Sequence, residues 1–208
     1  MNSDTITTPI AEGLPPGENA SASASEPGIV SFVRGLKERD DRGALAVLRG
    51  ALSSSEDRQI RSYRLLAPFG GIPSGDAKQQ HNAHVLRVIA GLMTLPNMHI
   101  QATGKNFGHS CRKLLQDDER KSLAKPEQPG PVSRRVQHLL AATRDEVLDR
   151  VCALARRIAN EEGNIDFGRL YDDLRDYRWG TSTKANWAAS FWGAGAVEED
   201  ANEGGKAE

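Results

Sequence analysis

Cysteine is nearly missing from this chain of 208 residues: Cys111 and Cys152 are the only two, and their spacing matches no metal-ligand pair. They offer no disulfide framework, suit a reducing compartment, and read as small apolar core groups. Long apolar runs are missing too. None approaches the roughly 20 residues of a bilayer span. No Lys or Arg precedes a short apolar stretch at the N-terminus, so neither secretion nor membrane insertion is expected, and the chain is assigned to the cytoplasm. The two ends are poor in bases. Residues 1–28 carry Asp4, Glu12, Glu18 and Glu26 and no Lys or Arg, in a setting of Ser, Ala, Pro and Gly, and residues 194–208 carry five acids against Lys206. Both read as disordered acidic tails, because so little apolar surface cannot offset the entropy of ordering the chain.

The ends conceal the charge of the middle. The whole chain has a formal net charge of -1, yet residues 29–193 hold 26 Lys and Arg against 19 Asp and Glu, a net of +7. A basic body suits a phosphate backbone, and the acidic ends are candidates for restraining nonspecific binding.

Strand signals are also lacking: no run alternates apolar and polar residues with β-branched enrichment. Apolar residues instead recur at three- and four-residue spacing, which predicts an all-α fold, a compact bundle of about eight helices over 29–193. Ile29, Phe32, Val33 and Leu36 mark the first helix. Asp40 or Asp41 caps a second, carrying Leu45, Leu48 and Leu52, and Ser55 opens a third that stops before Pro68. Val85, Val88, Ile89 and Leu92 define a longer helix ending near Pro96, and 105–115 is a short one. Segment 116–131, charged and punctuated by prolines, is the candidate hinge between two helical halves. Pro131 suits a first helical turn, with Val132, Val136, Leu139 and Leu140 on its stripe. Thr143 caps the next helix, whose stripe is Val147, Val151, Leu154 and Ile158, and Gly163 with Asn164 ends it. Helices over 166–177 and 183–192 complete the bundle.

Signatures of catalysis are missing. The loop from Gly70 to Gly75 has no Gly-Lys followed by a hydroxyl residue after a strand, which a phosphate-cradling loop needs. His81 and His84, three apart, and His109 near Cys111 have no partnering ligand pair, so they read as ordinary histidines and no metal is expected. The carboxylate pairs Glu161/Glu162 and Asp172/Asp173 are sequence neighbours, which on a helix point about 100° apart and do not converge on one atom. No Ser or Cys sits in a nucleophile elbow. Neither enzymatic activity nor a cofactor is expected.

Arginine is what the sequence does offer. Arg42 and Arg49 lie seven residues apart, nearly two helical turns, and share a face away from the leucine stripe. Arg150 and Arg157 repeat the spacing with Arg156 beside them, Arg134 and Arg135 form a third cluster, and Lys105 with Arg112 a fourth. One such pair reads best as a solvated face. Four on a body of charge +7 favour polyanion binding, because the guanidinium fork matches phosphate oxygens and displaces condensed counterions. Seven of the eleven aromatics fall in 167–192: Phe167, Tyr171, Tyr177, Trp179, Trp187, Phe191 and Trp192. Their helical spacing beside Leu170 and Leu174 assigns them to packing rather than to base stacking.

Five segments taken in order carry a resemblance: Arg42-Gly-Ala-Leu-Ala-Val-Leu-Arg49, Tyr63-Arg-Leu-Leu-Ala-Pro-Phe-Gly70, Asn106-Phe-Gly108, Ser133-Arg-Arg-Val-Gln-His-Leu-Leu140, and Ile165-Asp-Phe167 followed by Leu170, Leu174, Trp187, Phe191 and Trp192. Together they resemble the CasB family, the small subunit of the type I-E CRISPR Cascade surveillance complex. The resemblance implies a helical, non-catalytic subunit for antiviral defence, present as two copies packed head to tail among other Cascade subunits. It also implies crRNA and target DNA as partners, with basic residues holding the target and displaced strands of the R-loop. Carried onto this chain, it points to Arg49, Arg134, Arg135, Arg144, Arg156 and Arg157, together with Lys78, Lys105 and Arg112, as nucleic-acid-binding residues. The acidic tails depart from the family pattern. A competing expectation is a protein-interaction adaptor whose arginines pair with acids on partner subunits without touching nucleic acid.

Overall fold

Residues 26–123 and 129–193 are described by the computed structural model. Residues 1–25 and 194–208 of the expected tails, and 124–128 of the candidate hinge, lie outside the described residues. Helix α1, Gly28–Glu38, follows Pro27 and buries Ile29, Val30, Val33 and Leu36. Glu26, counted with the acidic tail, joins the fold: its carboxylate accepts from the Arg34 guanidinium and from the Ser31 hydroxyl at 2.7 Å. Helix α2, Arg42–Arg49, is capped by Asp41, whose carboxylate accepts the Ala44 N–H at 3.0 Å. A 3-10 turn, Gly50–Leu52, leads to α3, Glu56–Leu66, which gives way to a second 3-10 turn at Pro68.

Helix α4, Ala77–Met93, is the axis of the bundle. It opens on a capping box in which Asp76 accepts from the Gln79 N–H and Gln79 accepts from the Asp76 N–H, and it buries nine residues, Gly91 among them. It packs against α1 and α2, and against α8 (Val147–Asn160) and α9 (Phe167–Leu174). The other described helices are α5 (Phe107–Arg112), α6 (Asp117–Ser122), α7 (Pro131–Ala141) and α10 (Thr181–Trp192). The chain is all-α, as expected. One hydrophobic core runs from Ile29 on α1 to Phe191 on α10. The segment 116–131 contains α6, and its Glu119 is buried and accepts the Ser133 N–H of α7 at 2.8 Å.

Three local departures from the sequence reading have physical reasons. A parallel pair, β1 (His99–Ile100) with β2 (Asn164–Ile165), ties the loop after α4 to the end of α8. At two residues a strand it is too short to leave an alternating pattern. Helix α8 proper begins at Val147, one turn after Thr143, and the Glu146 carboxylate accepts both the N–H and the hydroxyl of Thr143 at 3.0 and 2.9 Å. Thr143 still opens that turn, its carbonyl accepting the Val147 N–H. At the other end of α8 the left-handed residue is Glu162 (φ 52°), with Gly163 one place later donating to the Ile158 carbonyl at 2.8 Å. A Cβ on Gly163 would lie 2.7 Å from Ile158 Cγ2. The glycine is there for close approach and not for its dihedral angle. Glu162→Gly is therefore expected to stabilise the fold by about 1 kcal/mol through relief of left-handed strain. Gly163→Ala is expected to cost about 1–3 kcal/mol by overpacking. Urea midpoints of the two variants check the opposite signs.

Candidate nucleic-acid interface

The last turn of α2, the 3-10 turn after it, the start of α3, the loop following α4 and the exposed side of α8 enclose a cleft of about 620 Å³. Its polar lining is dominated by Arg49, Arg58, Arg61 and Arg156, and Ala46, Val47, Leu52 and Leu95 supply apolar wall. Gly50 makes the junction possible. A Cβ there would meet the Arg58 carbonyl oxygen at 3.2 Å, so the turn lies directly on the first turn of α3 and draws Arg49 and Arg58 to one opening.

Arg49 is held rigidly. Its Nε and Nη2 both donate to the Thr94 carbonyl, at 3.2 and 2.7 Å, while Lys37 Nζ donates to the Met98 and Met93 carbonyls at 2.7 and 3.3 Å. Two cations thus close the C-terminus of α4, where orphan carbonyls and the negative end of the helix dipole favour positive charge. Burial, and then the neighbouring Arg49 charge, push the Lys37 ammonium below its ordinary pKa. Arg58 and Arg61, three residues apart on α3, and Arg156 on α8 are exposed. Among the described residues no carboxylate comes within ion-pair distance of any of the four cleft arginines. Converging guanidinium groups without internal counter-ions bind anions, and they bind phosphate oxygens best because the donor fork fits them.

Of the residues expected from the sequence, Arg49 and Arg156 come together in this cleft. Arg157, one residue along α8, is half-buried, whereas Arg134 and Arg135 stand on the exposed side of α7, and Arg135 Nη1 donates to the Pro131 carbonyl at 3.2 Å. Arg144, exposed before α8, lines a separate cleft with His81, His84, Arg87 and Asp145. Burial, more than the adjacent Arg87 and His81 charges, lowers the His84 pKa, and Asp149 opposes the shift. Lys78 pairs with Asp176 at 3.2 Å.

Arg112 is a correction. It is buried at 5% exposure and its Nη1 donates to the Phe191 carbonyl of α10 at 2.6 Å. The expected helical face shared with Lys105 does not exist, because α5 starts at Phe107, Asn106 caps it, and Lys105 lies in the loop before it. Arg58 and Arg61 were missed by a search for seven-residue spacings; the run Arg58, Arg61, Arg64 at three-residue intervals was the signal available.

Of the aromatic group, Phe167, Trp179, Trp187 and Phe191 are buried in the core, and Tyr171 and Trp192 pack against it half-buried. Trp187 is 1% exposed, its ring centroid 5.2 Å from Phe107 and 4.9 Å from Trp179, and its indole N–H donates to Asp173 at 2.7 Å. Both cysteines are inert thiols at neutral pH: burial raises Cys111 far above the usual range and Cys152 to about 11. No group of three or more His, Cys, Asp and Glu is placed to hold a metal ion among the described residues.

Residues 44–192 match the family described as CRISPR-associated protein Cse2. The chain belongs to the Cse2 family. A curated relative, the CRISPR-associated protein Cse2 of Thermus thermophilus, is 32% identical over 161 residues, which cover 76% of this chain and 83% of the relative. No solved structure matches. Cse2 is the CasB subunit of type I-E Cascade, so the sequence resemblance and the family assignment agree, and the partners include other Cascade subunits. The Cse2 match takes in every residue lining the arginine cleft, from Ala46 to Arg156. Among the described residues no helix is long and apolar enough to cross a membrane.

Proposed function

We propose that this Cse2 chain is a non-catalytic, cytoplasmic Cascade subunit. It grips nucleic-acid backbone, holding target and displaced strands so that the R-loop formed with the crRNA stays open, and it does so beside a second copy of itself. The observation that carries this reading is the cleft of Arg49, Arg58, Arg61 and Arg156, four cations with no acid paired to them among the described residues, on a body of net charge +7. Arg134, Arg135, Arg144 and Arg157, with Lys78 and Lys105, extend the basic surface. Arg112, enclosed against α10, is not part of it. R-loop formation exchanges one duplex for another of nearly equal stability, so a few backbone contacts tip it without bond-breaking chemistry.

The test is a salt titration of binding between the purified chain and single-stranded and duplex DNA. If the four cleft arginines each neutralise one phosphate, log affinity falls against log salt with a slope of about -3 on single strands, at roughly 0.7 per contact. In the assembled complex, Arg156→Ala with Arg157→Ala lowers R-loop yield while circular dichroism stays native. Absence of binding at every salt concentration would overturn the reading and leave the adaptor role.

A further inference from the structure

We propose that the arginine cleft is a nucleotide pocket: it takes one unpaired, everted base of a single strand against its apolar wall, while the flanking phosphates sit on the arginine rim. This rests on the reading of the cleft as a nucleic-acid interface and narrows its ligand to a nucleotide unit whose base is free.

A pure phosphate track needs donors and nothing else. Here Ala46, Val47, Leu52 and Leu95 add apolar wall to the cleft that the arginines line, and the 620 Å³ lies within the range of small-molecule pockets, about 300–1,000 Å³. The wall is firm. Leu52 is half-buried on α4 at Gly91, where a Cβ would come within 2.5 Å of Leu52 Cγ. Leu95, also half-buried, packs on the core at the end of that helix. An aliphatic wall beside guanidinium planes accepts the face of a heterocycle, since arginine stacks on flat π systems as well as pairing with phosphate.

The lining also explains what would not be read. Among the described lining residues Ser53 brings the one side-chain hydroxyl to the cleft; its Oγ accepts the Ser55 N–H at 3.1 Å, and a hydroxyl, both donor and acceptor, does not tell one base edge from another. With no amide or carboxylate among the described lining residues, no adenine or cytosine edge is specified, and arginines engaged with the flanking phosphates leave the pocket open to any base. Such tolerance fits a partner strand whose sequence varies. Duplex DNA is excluded because its bases are stacked and paired, whereas an already unpaired strand everts a base at small cost.

The experiment compares three oligonucleotides of equal length binding the full chain at one salt concentration: single-stranded DNA, the same backbone with abasic sites throughout, and duplex. Loss of base stacking is expected to weaken the abasic strand about 5- to 100-fold. Its salt slope should match that of the normal strand, because the phosphates are unchanged. Val47→Ala with Leu95→Ala lowers affinity for the normal strand and leaves the abasic strand unaffected. The abasic comparison needs no variant, so a misfolded mutant does not blunt it. Equal affinity of normal and abasic strands, with a normal salt slope, overturns the pocket and keeps the phosphate-gripping function. Failure of both strands to bind at any salt overturns the function as well.

Discussion

Trp187→Ala is expected to destabilise the protein by about 3–5 kcal/mol, the cost of removing a large aromatic side chain from a closed core. Trp187 stands where α10 meets α5, sandwiched between Phe107 and Trp179, and the backbone behind it is equally tight: a Cβ on Gly108 would come within 2.1 Å of the Trp187 carbonyl oxygen. The truncation also takes one of two partners from Asp173, whose other carboxylate oxygen keeps the Arg169 guanidinium at 3.2 Å. That carboxyl is buried, its pKa is raised chiefly by burial, and the Trp187 indole N–H is the group that most favours its ionised form. A carboxyl with a raised folded-state pKa binds its proton more tightly in the native protein than in the unfolded chain. Its contribution is therefore most favourable at low pH and is lost as pH rises from the unfolded value through the folded one. Trp187→Phe keeps most of the ring and removes the donor, which pushes the Asp173 pKa higher still. It should cost about 1–3 kcal/mol at neutral pH and less below the carboxylate range. Urea denaturation of both variants at neutral and acid pH, read by circular dichroism, checks the magnitude and the sign. A Trp187→Phe penalty that grew on acidification would contradict the role given to Asp173.

The helices were legible because their signals are local. The Asp41 cap, the stop before Pro68, the stripe of Val147, Val151, Leu154 and Ile158, and the packing role of the C-terminal aromatics all follow from spacings within one element. The cleft was only half legible, since it is assembled by elements far apart in sequence. Arg49 was singled out by its spacing from Arg42, Arg156 as the neighbour of the Arg150/Arg157 pair, and both by the resemblance, but their meeting depends on the approach of Gly50 to Arg58 and on Thr94 anchoring Arg49, which no single-helix pattern encodes. Arg112 failed for a related reason. A seven-residue spacing places two side chains on one face only if both residues are helical, and the Asn106 cap puts Lys105 outside the helix. The net charge of +7 for residues 29–193 required counting the acidic ends apart, after which the surplus of arginine was plain.

The surplus of arginine gives the other large expected effect. Arg58→Ala, Arg61→Ala and Arg156→Ala combined should lower affinity for single-stranded DNA on the order of 100-fold at about 0.1 M salt and flatten the salt slope by about 2, since each lost phosphate contact removes roughly 0.7 from the slope. Stability should barely move. The three side chains are exposed and, among the described residues, none pairs with an acid, and substitutions at such surface positions usually stay within about 0.5 kcal/mol. Arg49 is left in place because removing it would uncover the Thr94 carbonyl and mix a folding defect with the binding one. Arg112→Ala is the opposite control: it frees the Phe191 carbonyl in a buried site, costing about 1–3 kcal/mol of stability, while the folded fraction keeps the wild-type salt slope. Fluorescence anisotropy across a salt series, paired with thermal melts of the same preparations, separates the two. A triple variant that retained the full slope would move the phosphate contacts out of the cleft and onto the arginines of α7 and the turn before α8.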